Sequence, residues 1–472
     1  MRPRCPHPRF VLAIVVAVGG VVAVAHGELL WKSQAAVSPN FDTYYLGTPN
    51  IMRLADGDLL ATYDHFGPAT GNNLTAVSRS TDNGQSWSRL SGVIGSFWPT
   101  LFEHDGSLYL MGQDRADGNT VIRRSVDGGA TWTSPHDAAT GLLLTGRYAG
   151  GPTPVEVANG RIYRAVERVA PGGGFGAFRS LVMSAAVDAD LLNANNWTVS
   201  NELAFQQQWL PTATEDPGWL EGNMVVAPNG EVWNILRVNS NPAVDKAAIE
   251  RVNDDGNEVT FDRIIDMPGG RQKFTIRRDP QTNLYLSFVN NNTDPSNPRQ
   301  RNVMSLIASQ DLIQWEILET LLEDDQGLSW EDSMALTGFQ YVDWRFDGDD
   351  IIYLVRTAYD GAPNFHDSNR ITYHVLEDYV TLFPFIPGDV TGDRAVDLDD
   401  FGVIRTNFYT SVTNREEGDL NGDGMVDFAD FRQWKVNRQD GIPVPSLSVP
   451  EPSWLQLVIL GAAGIWCYKS EY

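Results

Sequence analysis

Ser80-Thr81-Asp82-Asn83-Gly84-Gln85-Ser86-Trp87 and Ser125-Val126-Asp127-Gly128-Gly129-Ala130-Thr131-Trp132 share the form S-x-D-x-G-x-x-W. The spacing describes a hairpin turn that carries its own stabilisers. The Asp carboxylate can cap turn amides, the Gly can take a positive φ, and the Trp can pack sideways onto a neighbouring sheet. Ser309-Gln310-Asp311-Leu312-Ile313-Gln314-Trp315 keeps the Ser, Asp and Trp but drops the Gly. Weaker echoes stand at Asp254-Asp255-Gly256 and Asn196-Trp197. Short apolar or alternating runs surround these turns, as in 58–63, 107–111 and 350–355, and no long helical period interrupts them between residues 28 and 385. An all-β chain of this size needs a way to avoid bare sheet edges; radial repetition is one solution, and the repeated hairpin supports it.

The 472 residues suit one large domain with appended modules, and a hydrophobic content of 42% is enough for a packed core. A net charge of −25 without a large basic patch argues against nucleic acid as a partner. The two cysteines, Cys5 and Cys467, sit near opposite ends, so the globular region is predicted to hold no disulfide. Residues 1–27 read as a signal peptide. Arg2, Arg4 and Arg9 precede the apolar run 10–25, and Ala25-His26-Gly27 supplies the small-x-small pattern before the cut. The chain is therefore expected to be secreted, to an extracellular or cell-surface location.

The repeated turns are similar to the Asp boxes of the sialidase superfamily. That resemblance implies a six-bladed β-propeller over 28–385, with an N-terminal strand closing the last blade. Asp82, Asp127 and their tryptophans take structural roles in this reading, since such boxes lie away from the active site.

The resemblance also carries site residues. In 221–237 a Glu begins one strand and an Arg ends the next across a Pro/Asn-Gly hairpin, which sets both at one end of a blade. It implies Glu221 as the group that polarises a nucleophile and Arg237 as one grip on a substrate carboxylate. Arg301, ahead of the degenerate box, matches a second arginine of that clamp. Tyr341, in Gln340-Tyr341-Val342-Asp343-Trp344, falls where sialidases keep a nucleophilic tyrosine. The residue types suit the chemistry. Paired arginines hold a carboxylate in forked hydrogen bonds. A neutral tyrosine attacks an anomeric carbon whose carboxylate would repel a second one, which makes sialidases an exception among glycosidases.

Two departures stand out. The family's first clamp arginine is absent at Gly47-Thr48-Pro49, and the loop 65–73 holds no Asp for acid/base work. Asp64 and His65 are the alternative general acids. A further polar cluster, Arg356 with His366 and Asp367, is a candidate lining of the funnel, or else a loop that caps its own turns. Glu167 and Arg147 read more simply as structural residues.

From residue 386 to 440 the pattern changes. Asp389, Thr391, Asp393, Asp397 and Asp400 occupy positions 1, 3, 5, 9 and 12 of a calcium-type loop, and Asp419, Asn421, Asp423, Asp427 and Asp430 repeat them. A helix-like stretch follows each loop. The tandem resembles a dockerin type I module, a small α-helical calcium-binding unit, which implies calcium as a structural cofactor and a cohesin-type partner. Arg394 stands where the first loop would carry Gly. Residues 441–453 form a Pro-rich linker. The apolar run in 454–472, after Val449-Pro450-Glu451-Pro452, resembles a PEP-CTERM sorting tail, the one expected contact with a membrane.

The sequence thus predicts an exported sialidase-type glycoside hydrolase that cleaves terminal acidic sugars through a retaining tyrosine, with no cofactor for catalysis. The alternatives are a non-catalytic carbohydrate-binding propeller and a propeller polysaccharide lyase.

Overall fold

A computed structural model describes residues 30–383, 386–393 and 395–438. The predicted signal peptide, the linker, the sorting tail and Arg394 lie outside the described residues. Six antiparallel sheets follow one another along the chain as blades 45–94, 97–144, 148–204, 218–266, 275–323 and 338–376. The strand Ser33–Val37 pairs with Arg370–Leu376, so the sixth blade is completed by the first strand of the described chain. The all-β, six-bladed expectation holds. Among the described residues no helix is long and apolar enough to cross a membrane.

The box turns behave as their chemistry requires. Asp82 Oδ1 accepts Ser86 N at 2.9 Å, and Asp127 Oδ1 accepts Thr131 N at 2.9 Å. Gly84 has φ +81°, and a Cβ there would stand 2.2 Å from the Tyr373 ring, so the turn is pressed against the sixth blade. In the third box Asp311 Oδ1 still accepts Ile313 and Gln314 N at 2.8 Å. Buried Leu312 takes φ +67° in place of the missing glycine. The box tryptophans bridge blades: Trp87 meets Tyr373 edge-on at 5.6 Å, and Trp315 packs on the core shared by blades four and five.

Polar side chains stitch the inner strands into a ring. Asn50 spans blades one and two, accepting Leu101 N and donating to Pro99 O. Thr100 donates to Thr153 O, Asn223 accepts Ile276 N, Thr275 donates to Val342 O, and Asp343 accepts Ile51 N. Each group is buried, and each satisfies a backbone atom of the next blade.

Four inner strands carry a register shift at one equivalent place: Gly47/Asn50, Phe97/Thr100, Leu220/Asn223 and Gln340/Asp343. The residues inside these bulges, Thr48, Trp98, Glu221 and Tyr341, have φ of 43°, 51°, 59° and 53°. Left-handed backbone at non-glycine residues costs of order 1–3 kcal/mol each. A bulge re-aims one side chain out of the strand's alternation. Here it brings Glu221 and Tyr341 together at the mouth of the ring.

Beyond the ring, the helices Leu398–Thr406 and Phe428–Asn437 pack around Phe401, Ile404 and fully buried Trp434. Each begins with a capping box, Asp397 with Asp400 and Asp427 with Asp430.

Candidate functional site

Tyr341 Oη donates to Glu221 Oε1 at 2.8 Å, and Arg237 Nη1 donates to Glu221 Oε2 at 2.8 Å. Glu221 and Arg237 are 5% and 4% exposed, so the ion pair behind the half-buried Tyr341 is desolvated. The 221–237 hairpin sets it up: the Glu221 bulge and the end of Val232–Asn239 lie side by side, with Leu220 opposite Arg237. Burial, then Glu221, raises the Tyr341 phenol above its ordinary range, against the pull of Arg237, Arg356 and Arg301. The phenol therefore keeps its proton until a base takes it. Burial draws Arg237 down, but Glu221 and Tyr341 hold it above its usual value.

Arg301 is buried. It donates through Nη1 to Gln340, while its Nε has no hydrogen-bond partner among the described residues. Burial pulls this guanidinium down to about 9, opposed by Tyr341. Arg356, on the strand Asp350–Ala358, is held by Ser368 Oγ at 3.1 Å and His366 O at 2.5 Å. Its guanidinium lies 4.9 Å from the Tyr341 ring centre and 4.5 Å from that of Phe66. Its Nη1 reaches within 3.7 Å of where a Cβ on Gly47 would stand. The sixth blade thus delivers a cation to the part of blade one where the resemblance leads one to look for an arginine.

Asp64 is 1% exposed and accepts hydrogen bonds from Thr48 Oγ1, Thr75 Oγ1 at 2.6 Å and Trp98 N at 2.8 Å. Burial pushes its carboxyl up to about 7, although all three donors and Arg356 oppose the shift. His65, its neighbour on the strand, points the other way. It packs against Tyr44 and Tyr63, and burial lowers it to about 4. Strand alternation therefore removes His65 from the site and leaves Asp64. His366 is half exposed at the rim, with Nδ1 2.8 Å from Asp367 Oδ1. Arg356 and burial lower it to about 3. Asn364 caps the same turn, so this loop both caps itself and lines the funnel.

The funnel has two lobes that share Tyr341 and His366. The larger, about 660 Å³, is lined by Arg237, Arg271, Arg299, Arg301 and Phe175. The smaller, about 240 Å³, is lined by Asp64, Phe66, Phe97, Trp98 and Arg356. Sequence reasoning missed Trp98, although Trp98-Pro99 repeats the Thr48-Pro49 pattern. It also missed Arg271, Arg299 and Phe175, which no motif marks. Arg147 forms an exposed pair with Asp117. Glu167 lies buried beneath the site, its Oε1 accepting Gly222 N at 3.2 Å inside the Glu221 bulge.

The C-terminal loops hold oxygen donors only, the type that suits calcium. In each loop the position-12 carboxylate is engaged with backbone. Asp400 accepts Val390, Thr391 and Asp397 N, and Asp430 accepts Leu420, Asn421 and Asp427 N. Asp389, Asp393, Asp419 and Asp423 likewise accept amides of their own loops. Among the described residues no three His, Cys, Asp or Glu groups converge to hold a metal. The predicted calcium ligands suit calcium by their oxygen chemistry and tandem repeat, and several of their oxygens also accept amides of their own loops.

No protein-family model matches the chain, and no curated protein matches it. Solved structures share its fold. A mutant α-L-arabinofuranosidase from Fusarium graminearum bound to an iminosugar inhibitor aligns with TM-score 0.50 and 13% identity, over 74% of this chain and 98% of that one. An α-L-arabinanase from Penicillium chrysogenum complexed with arabinobiose aligns with TM-score 0.48 and 14% identity, over 73% and 97%. A Trypanosoma rangeli sialidase in complex with the inhibitor DANA aligns with TM-score 0.46 and 16% identity, over 71% and 55%. The chain is a six-bladed β-propeller with structural neighbours among sialidases and arabinanases.

Proposed function

We propose that the protein is an exported glycoside hydrolase that removes a terminal acidic sugar, with retention, through Tyr341. The observation that supports this reading is the 2.8 Å hydrogen bond from Tyr341 to Glu221, set among the buried arginines 237, 301 and 356. Tyr341 Oη attacks the anomeric carbon and its proton passes to Glu221. The glycosidic bond breaks as Asp64 donates its proton to the departing oxygen. Water then attacks the tyrosyl-linked carbon and gives a proton back to Asp64, and Tyr341 leaves with the proton held by Glu221. The arginines hold the sugar carboxylate, which explains why a neutral nucleophile serves here better than a carboxylate. The C-terminal module, in the same proposal, takes calcium and docks on a cohesin-type partner, while the leader and tail direct export and surface sorting.

The test is hydrolysis of aryl glycosides of sialic acid, uronic acids and neutral sugars by wild type and Tyr341→Phe. Cleavage of an acidic substrate that falls by several orders of magnitude in the variant supports the reading. No cleavage by wild type refutes it in favour of a binding propeller. An unsaturated product refutes it in favour of a lyase.

A further inference from the structure

Four arginines, Arg237, Arg271, Arg299 and Arg301, line the larger lobe, and among the described residues only Arg237 of the four forms an ion pair. Arg271 is 5% exposed. Its Nε donates to Asn241 Oδ1 at 2.6 Å, and no carboxylate stands within ion-pair distance among the described residues. Its backbone O accepts Arg237 Nε at 3.0 Å, which ties it directly to the clamp. Arg299 is exposed at the same wall and likewise forms no ion pair among the described residues. Burial, then Arg237 and Arg299, lowers Arg271 to about 10, with Glu215 opposing. In a chain of net charge −25, cations crowded together at this cost stand out. Each of these arginines presents a planar fork suited to an oxyanion.

We infer that Arg271 and Arg299 form a second anion subsite, and that the substrate is a saccharide bearing two acidic groups. The inference rests on the acidic-sugar reading above and narrows it. The first acidic group lies on Arg237, Arg301 and Arg356 beside Tyr341. The second, a carboxylate or a sulfate, lies on Arg271 and Arg299 farther along the same wall. A lobe of about 660 Å³ has room for more than one sugar ring; sites for drug-sized ligands span about 300–1,000 Å³. Glu215 and Asp216 also line this wall and offset part of the arginines' charge; Glu215 accepts Asn241 Nδ2, and Asp216 accepts Phe175 and Gly176 N.

The experiment is calorimetric titration of the full-length Tyr341→Phe chain, which cannot turn the ligand over. The probes are digalacturonate, its monomethyl ester at the reducing-end residue, an unsaturated chondroitin sulfate disaccharide, and neutral galactobiose. The ester keeps both rings and removes one charge. Digalacturonate should bind about tenfold or more tightly than the ester, the gain typical of one charge-assisted contact. Arg299→Gln, an exposed change that threatens folding least, should bring that ratio toward one, whereas Arg301→Gln should weaken both acidic ligands. A gain confined to the chondroitin sulfate disaccharide also supports the inference and names sulfate as the second group. Equal binding of digalacturonate and its ester, with no sulfate gain, overturns the second subsite but leaves the first intact. Acidic probes that bind no better than galactobiose overturn both readings.

Discussion

Asp64→Asn should flatten the dependence of stability on pH by an amount the structure sets. The wild-type carboxyl moves from 3.8 to about 7 on folding, because burial outweighs its donors Thr48, Thr75 and Trp98 N. A difference of this size corresponds to about 4 kcal/mol, at about 1.4 kcal/mol per pH unit. Below pH 4 the carboxyl is protonated in both states and costs nothing extra. Between pH 4 and pH 7 the folded chain retains a proton that the unfolded chain has released, so stability falls as pH rises; above pH 7 the full loss has been incurred. Asparagine keeps the shape and one acceptor oxygen and cannot ionise. Glu167 and Glu250 also titrate with raised values, so the informative quantity is the difference between the two chains. Urea unfolding followed by tryptophan fluorescence at half-unit pH steps should show the variant gaining on wild type from pH 4 to 7, by up to about 4 kcal/mol, and running parallel beyond. Parallel curves across the whole range would refute the account of Asp64 as a proton-holding acid. In the proposed hydrolysis the same variant should lose about 10²–10⁴-fold in rate, with the greatest loss on substrates whose leaving group most needs a proton.

Glu167→Gln keeps an acceptor for Gly222 N but removes a buried group that burial pushes up to about 7; the pH profile of kcat/KM should lose an ionisation near neutrality while KM stays close to wild type. Gly84→Ala forces a methyl group into the Tyr373 ring at positive φ and should cost roughly 2–4 kcal/mol, read as a lower urea midpoint. Calcium added to the full chain should slow amide hydrogen exchange across 386–438. Asp430→Ala strips the acceptor from three backbone amides and should abolish that effect. Exchange indifferent to calcium in wild type would remove the basis for metal binding there.

The architecture could be read from the sequence because box turns are local chemistry. A Ser, an Asp, a Gly and a Trp at fixed offsets need no distant partner to declare a hairpin. The third box shows the margin of that logic: Leu312 accepts a left-handed backbone, so the missing glycine changed the motif but not the turn. Glu221 and Arg237 were readable as a pair because a hairpin fixes their separation. Choosing between Asp64 and His65 required the direction of one strand face, and Tyr63 beside His65 carried that information in its own apolar character. Arg271 and Arg299 were beyond reach, since only the ring's closure brings the connection before blade five and a loop of that blade to Tyr341. Glu167 was read as structural, and its place beneath the site was not legible. Its partner is an amide exposed by the bulge at Glu221, and a bulge is a feature of pairing rather than of sequence.

The strand Ser33–Val37 lies beside Arg370–Leu376, so the ring is fastened by the two ends of its own polypeptide segment. As the chain emerges from a ribosome, its earliest strand must wait for its latest hairpin before either has a partner. Five blades can form in order behind it while one edge of the assembly stays unlatched. Transplanting residues 33–37 to follow residue 376 would make every blade contiguous and let the ring close without that wait. A truncation removing the same five residues would leave the sixth blade with a bare edge, open to a strand from another molecule.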